Sequence, residues 1–260
     1  MTDRKIEEKP IRPASTVILV REHAEALQVY LLKRSRKSGF MGGLYVFPGG
    51  VVDAEDRDVN IWKDNIDLEL DQVETKLGNG ISLEDVCGFS VAGIRETLEE
   101  VGVFLAEEKG KSKEDFKHIC RVRLKSDLTK SWFRDKVIAG NWILACSSLT
   151  RWSHWITPKL MKKRFDTRFF MVEMPKGQEC LPDNRETKHG VWLTPEQALT
   201  DNLFGKIPLS PPTVVTLTEL MKFKTMRALR DEMETRQWGA PNTPRLVHTP
   251  NGPVLLEPWD

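Results

Sequence analysis

Three glutamates, Glu96, Glu99 and Glu100, follow directly on Arg95 in the stretch VAGIRETLEEVGVFL, which runs from Val91 to Leu105. Like charges three and four residues apart on a helix repel, so the arrangement is destabilising unless something positive sits among them. With 3.6 residues per turn the three carboxylates fall on one side, while Ile94, Leu98 and Val101 form an apolar stripe for packing. Hard carboxylate oxygens suit Mg²⁺ or Mn²⁺, ions that keep several waters and bind through a few carboxylates together with substrate phosphates. Chemistry at phosphorus is the expectation. An isolated acidic triplet more often does no more than solvate a surface helix, so the surrounding sequence has to decide between the two readings.

The elements that must position this triplet read as a mixture of strands and helices. ASTVILVRE and LQVYLLKRS are short runs rich in Val, Ile, Leu and Tyr, which predicts two strands joined by a turn through His23 to Ala26. The second ends in Lys33, Arg34, Arg36 and Lys37 and runs into SGFMGGLYVFPGGVVD, whose glycines and Pro48 describe a shaped loop. Ser82 is a helix N-cap with Asp85 three residues on, and Gly102 is a C′ residue, so the acidic triplet lies in the last turns of one well-bounded helix. Residues 53–85, acidic and weakly periodic with a Gly78-Asn79-Gly80 turn, read as one insertion. Residues from about 106 to 150, basic and apolar at roughly helical spacing, read as a second, mostly helical one. RWSHWITP, TRFFMVEMP and KHGVWLTPEQALTDN return to strands and then a short helix from near Pro195. PLSPPTVVTLTELMKFKTMRALRDEMETR reads as one proline-bounded helix, with a Pro-rich tail that could add a strand. The expected organisation is a polar tail over 1–12, one domain over 13–230 and a C-terminal extension over 231–260.

The whole chain narrows the classes of function. At 260 residues and 40% hydrophobic content it can bury the core of one large domain. Lys and Arg number 39 against 38 for Asp and Glu, so no global field would gather nucleic acid or an anionic membrane, and any anion recognition must be local. The four cysteines form no CxxC pair and the five histidines are scattered, which argues against a zinc site or a disulfide framework. No apolar run is long enough to span a bilayer, and MTDRKIEEKP is too polar for a signal peptide, so cytoplasmic residence is the default expectation.

RETLEEVGV resembles the strict part of the Nudix signature, with Thr97 in a usually apolar slot, and YVFPGGVVD looks like the glycine loop that opens it. Gly50 and Arg95 lie 45 positions apart where the signature usually has 14, so about 31 residues are inserted inside it. Simple counting, which an insertion of that length weakens as a guide, puts Asp56 in the place of the signature's early glutamate. Together with LLKRSRKSGFMGGLYVFPGG, WITPKLMKKRFDTRFFMVEMP and PPTVVTLTEL, this resembles the acyl-coenzyme A diphosphatase branch (nucleoside diphosphate-linked moiety X motif 19) over most of residues 13–220.

The resemblance implies an α/β fold, a Nudix α/β/α sandwich with a mixed sheet and helical insertions. It implies Glu96, Glu99 and Glu100 as ligands of Mg²⁺ or Mn²⁺, Arg95 as the residue that orients carboxylates, and Gly49 and Gly50 in the loop that meets the diphosphate. Glu99 and Glu100 would be catalytic with Arg95, one glutamate of the set would serve as general base, and Glu186 in DNRETKHGVWLTP would add a ligand or base, against the reading of a solvated loop acid. The implied substrate is a small nucleoside diphosphate-linked molecule, coenzyme A or acyl-coenzyme A. ADP-ribose, NADH, dinucleoside polyphosphates or an RNA cap keep the chemistry with another substrate, and a Nudix-fold binding module without catalysis is the reading of a different class. Three mutually repelling carboxylates argue against a pure binder. The resembled branch is usually peroxisomal, whereas the C-terminal EPWD does not resemble the Ser-Lys-Leu type of address.

Weaker signals remain open. Arg34 and Lys37 either meet substrate phosphates or simply end a strand in water. Lys117, Arg121 and Lys125 recur every four residues and read either as a grip on the 3′-phosphate of coenzyme A or, more readily, as a solvated helix face. Trp132, Trp142, Trp152 and Trp155, at irregular spacing, read as core more readily than as stacking platforms, and Arg168 and Phe169 read equally as family pattern or strand packing.

Overall fold

Two strands open the chain in the computed structural model, which describes residues 10–108, 113–125, 128–159, 161–183, 187–249 and 252–256. β1 (Ile11–His23) and β2 (Ala26–Arg34) pair antiparallel about a two-residue turn. Ala24 and Glu25 both take positive φ there (49° and 61°), the geometry whose twist matches that of the flanking strands. After β3 (Tyr45–Val46) and β4 (Gly49–Val51) come α1 (Val59–Trp62), α2 (Leu70–Leu77) and the long α3 (Leu83–Val101). The second insertion holds β5 (Ala106–Glu108), α4 (Lys113–Val122), α5 (Trp132–Gly140) and β6 (Trp142–Leu144). The chain returns through β7 (Thr150–Ile156), β8 (Arg164–Glu173) and β9 (Thr187–Leu193). Helices α6 (Pro195–Leu203), α7 (Pro211–Leu220) and α8 (Met226–Thr235) and a hairpin of β10 (Arg245–Thr249) and β11 (Gly252–Leu256) complete it.

The main sheet runs β3-β2-β1-β8-β7, with β4 also on β1 and β9 on β2. β1 and β8 are parallel and their neighbours antiparallel, so the sheet is mixed, and it is covered on both faces. Alternation along the central strands divides the core in two. Val17, Leu19, Phe170 and Val172 pack with α3 and the two insertions, while Ile18, Val20, Phe169 and Met171 pack with α6, α7 and α8. This is the α/β/α sandwich expected.

Helix α3 begins and ends where its caps predict. Ser82 Oγ accepts the Asp85 N–H at 3.1 Å, and Gly102 closes the helix at φ 71°, a left-handed conformation that glycine adopts without penalty. Burial along nearly its whole length fixes its height over the sheet.

Two sequence expectations need correction. The stretch after Pro208 forms two helices, because Thr225 takes an extended conformation and its side chain caps Ala228 N–H at 3.2 Å. The break brings the Phe223 ring to 6.4 Å from that of Trp152. The second insertion is mostly helical as expected, and within it β5 and β6 pair antiparallel and bury Trp142 and Leu144. The polar tail does not extend to residue 12, since β1 starts at Ile11 and its Arg12 is in register with Phe165 of β8. No described helix is long and apolar enough to cross a membrane.

Leu98 is fully buried on the core side of α3. Leu98→Ala is expected to lower stability by about 2–5 kcal/mol, read as an earlier urea midpoint at unchanged slope.

Candidate active site

Arg95 organises the cleft end of α3. Its Nε and Nη2 hold the two oxygens of Asp56 at 3.1 and 2.8 Å, a planar two-point pairing that guanidinium alone provides. Nη2 also reaches the Val51 carbonyl at 2.9 Å. Nη1 is shared between Glu96 (2.7 Å) and Glu99 (3.0 Å). Asp56 comes from the first insertion, on a short 3-10 turn after β4, and a bond from Asp53 N–H (2.8 Å) orients its carboxylate.

The glycine loop lies against the same helix. Glu100 is buried and its Oε2 accepts the Gly49 N–H at 2.9 Å. A Cβ on Gly50 would collide with the Glu96 carboxylate, and one on Gly49 with the β1 backbone at Ser15 and Thr16. Close approach of β4 to β1 therefore demands glycine at 49, with no help from a special φ, while a side chain at 50 would push the Glu96 carboxylate aside.

Burial pushes the Glu96 carboxyl up to about 7, against the pull of Arg95 and with repulsion from Glu99 adding to it. Burial also raises Glu99 and Asp56 although Arg95 bonds both. Burial works against the Arg95 charge in turn, but Glu96, Asp56 and Glu99 outweigh it and hold the guanidinium protonated. Among the described residues no three His, Cys, Asp or Glu side chains gather closely enough to form a ready-made metal cage. An open set of carboxylate oxygens on a cleft wall, with no nitrogen or sulfur donor, still fits a hard divalent ion that completes its shell with water and ligand oxygens. Glu96, Glu99 and Glu100 are the residues available to hold it.

The cleft encloses about 1050 Å³. Beside the carboxylates its lining includes the cations Arg12, Arg34 and Lys163 and an apolar wall of Phe40, Met41, Trp155, Phe165, Phe169 and Pro211. The rings of Phe40 and Phe165 meet at 4.9 Å, bringing the loop after β2 against the start of β8. Arg34 lines the cleft and donates to Ser38 Oγ from Nε and Nη2 (3.3 and 3.2 Å), whereas Lys37 is exposed and is not part of the lining. Glu186 lies outside the described residues.

Sequence reasoning missed Lys163, Arg123 and the role of Trp132. Arg123 is buried, and its Nη1 donates to the Glu99 carbonyl at 2.8 Å while Nη2 bonds the Leu181 carbonyl. Trp132 Nε1 donates to Glu99 Oε1 at 2.9 Å. Trp142 and Trp152 are core, Trp155 lines the cleft, and Lys117, Arg121 and Lys125 are exposed as a solvated face would be. Arg168 is buried away from the cleft, its guanidinium 5.6 Å from the Phe89 ring centre and 5.2 Å from that of Trp238.

Comparison with known proteins gives a consistent set. A family model described as the NUDT19 Nudix domain matches residues 11–220. The Xenopus laevis protein named acyl-coenzyme A diphosphatase NUDT19 is 31% identical over 237 residues, covering 78% of this chain and 62% of that protein. The Homo sapiens protein of the same name is 26% identical over 293 residues, covering 91% and 72%. The chain thus spans a little under two thirds of the Xenopus protein and somewhat more of the human one. Among solved structures, a NUDIX hydrolase from Alicyclobacillus acidocaldarius superposes with a TM-score of 0.67 at 22% identity, over 89% of this chain and 99% of that one, a likeness of fold.

The raised Glu96 carboxyl has a signed consequence. The folded state keeps a proton that the unfolded chain releases near 4.5, so metal-free protein loses stability as pH climbs from about 4.5 through 7. In chelator, Glu96→Gln is expected to flatten that part of the melting-temperature profile; an unchanged slope would put the carboxylate in an ordinary environment.

Proposed function

This chain belongs to the Nudix family, matching its NUDT19 domain over residues 11–220, and on that premise we propose that it is a Mg²⁺- or Mn²⁺-dependent diphosphatase. It cleaves coenzyme A or acyl-coenzyme A to adenosine 3′,5′-bisphosphate and (acyl-)4′-phosphopantetheine. The relatives from Xenopus and human named acyl-coenzyme A diphosphatase support the substrate class. The observation that carries the reading is the composition of one cleft, whose lining brings together carboxylates of α3, the cations Arg12, Arg34 and Lys163, and apolar side chains such as Phe40, Trp155, Phe165 and Phe169. A molecule with a diphosphate and an extended thioester arm matches all three.

When bound, the cation supplies neutralisation of the diphosphate charge and activation of the water that attacks phosphorus. The chain supplies the positions. Arg95 holds Glu96 and Glu99 on the cleft wall, and its pairing with Asp56 keeps the guanidinium from turning away. The Gly49 N–H fixes one Glu100 oxygen. A glutamate of this set takes the proton of the attacking water. Glu186 is proposed as a further carboxylate of the site. Three residues before it in sequence, Asp183 lines the cleft and its N–H donates to the Glu100 carbonyl at 3.0 Å.

A chromatographic product assay with free and acylated coenzyme A, ADP-ribose and NADH, in Mg²⁺, Mn²⁺ or chelator, tests the proposal. Adenosine 3′,5′-bisphosphate released from coenzyme A only with metal is the expected result; metal-dependent cleavage of another substrate overturns the substrate class, and no turnover of any overturns the enzyme. Glu100→Gln is expected to abolish metal-supported turnover with little change in the thermal transition, since glutamine keeps an acceptor oxygen for the Gly49 N–H.

A further inference from the structure

Glu99 is gripped from outside its own helix. Its Oε2 meets Arg95 Nη1 at 3.0 Å and its Oε1 meets the indole N–H of Trp132 at 2.9 Å, so both oxygens have a protein donor. Each oxygen has two lone pairs, and one bond to each leaves the carboxylate able to ligate. Its backbone carbonyl is held as well, by Arg123 Nη1 at 2.8 Å. Arg123 and Trp132 both belong to the 106–150 insertion.

Trp132 is itself held in place. It is 8% exposed, with the Phe133 ring at 6.2 Å in an edge arrangement, and Phe133 packs in turn on Trp62 and Phe104. On either side of it in sequence, Ser131 Oγ and Arg134 Nη1 both donate to Glu55 Oε1 at 3.1 Å. The Glu55 carbonyl accepts the Trp62 indole N–H at 2.8 Å. One residue of the first insertion thus seats the start of α5, and α5 delivers the indole to the carboxylate.

We propose that Trp132 is a positioning residue for the metal centre: its indole N–H fixes the rotamer of Glu99 and so presets that carboxylate for a divalent cation. The inference rests on the reading of Glu99 as a metal ligand. Arg95 divides its guanidinium among Asp56, Glu96 and Glu99, so it cannot alone define the angle of a Glu99 side chain that is partly open to the cleft. Hydrogen-bond partners of ligand side chains typically matter about ten- to a hundredfold in metal affinity.

The test uses the full chain without substrate. Trp132→Phe removes the N–H and keeps an aromatic ring, and Mn²⁺ affinity, measured by titration calorimetry or by loss of the free-ion paramagnetic signal, is expected to weaken by about tenfold. In parallel, the wild-type protein labelled with ¹⁵N-tryptophan is titrated with Mg²⁺, and the indole resonance absent from Trp132→Phe is expected to move with saturation. This second measurement stands even where the variant fails to fold, the Trp132 indole then being assigned by its nuclear Overhauser contacts to the Phe133 ring. Wild-type Mn²⁺ affinity in a folded Trp132→Phe, or an indole resonance unmoved at saturating Mg²⁺, overturns the positioning role and leaves the metal assignment intact. A wild-type protein that binds no Mn²⁺ overturns both.

Discussion

A single guanidinium, buried under a strand and a helix terminus, is the constraint on which the rest of the site depends. Arg95 carries a charge that burial opposes, and the surroundings repay it with Asp56 on one side and Glu96 and Glu99 on the other. The dependence runs both ways. Without Arg95 the acids would face one another in a poorly solvated wall, and without Asp56 the arginine would lose the pair that fixes its plane. Losing one partner of a buried pair commonly costs about 3–5 kcal/mol, which is large beside the stability of a whole domain. The same guanidinium ties β4, through the Val51 carbonyl, to α3, so the glycine loop and the acidic helix are one unit.

That unit is interrupted in sequence by roughly thirty residues, and the interruption is used. The chain leaves β4, forms the turn that carries Asp56, and only then departs into α1 and α2 before returning at Ser82. Glu55, next to Asp56, faces the other insertion and receives Ser131 and Arg134. Adjacent residues thus serve the arginine and the second insertion respectively, and what reads in the sequence as two separate embellishments meets as one layer over α3.

Much of this was legible where the signal was local. The caps at Ser82 and Gly102, the hairpin at Ala24 and Glu25 and the glycines at 49 and 50 are set by neighbours within a few residues, and sequence displays such neighbours directly. Counting from Gly50 pointed to Asp56, the residue whose carboxylate the Arg95 guanidinium pairs with. Trp132, Arg123 and Lys163 were not legible. Nothing in their own stretches distinguishes an indole that reaches Glu99 from one that fills the core, since the contact exists only once two insertions are packed. Lys37 stands beside the glycine loop in sequence but outside the cleft, while the strand pairing of Ile11 with Arg164 brings Lys163 beside the cleft in space. The break before Thr225 had a signal, a threonine able to cap, which the continuous apolar pattern of the segment masked.

The parallel pairing of β1 with β8 carries a consequence for how the chain is made. Ile11 lies opposite Arg164 and Val20 opposite Glu173, so the centre of the sheet joins the first strand to one emerging some 150 residues later in synthesis. Closing such distant partners is slow, because the loop entropy is spent before the contact returns anything. Glu100 and Gly49 can meet early, but the apolar wall with Phe165 and Phe169 cannot exist until β8 has left the ribosome. The lining of the cleft is therefore complete only once both strands have been made.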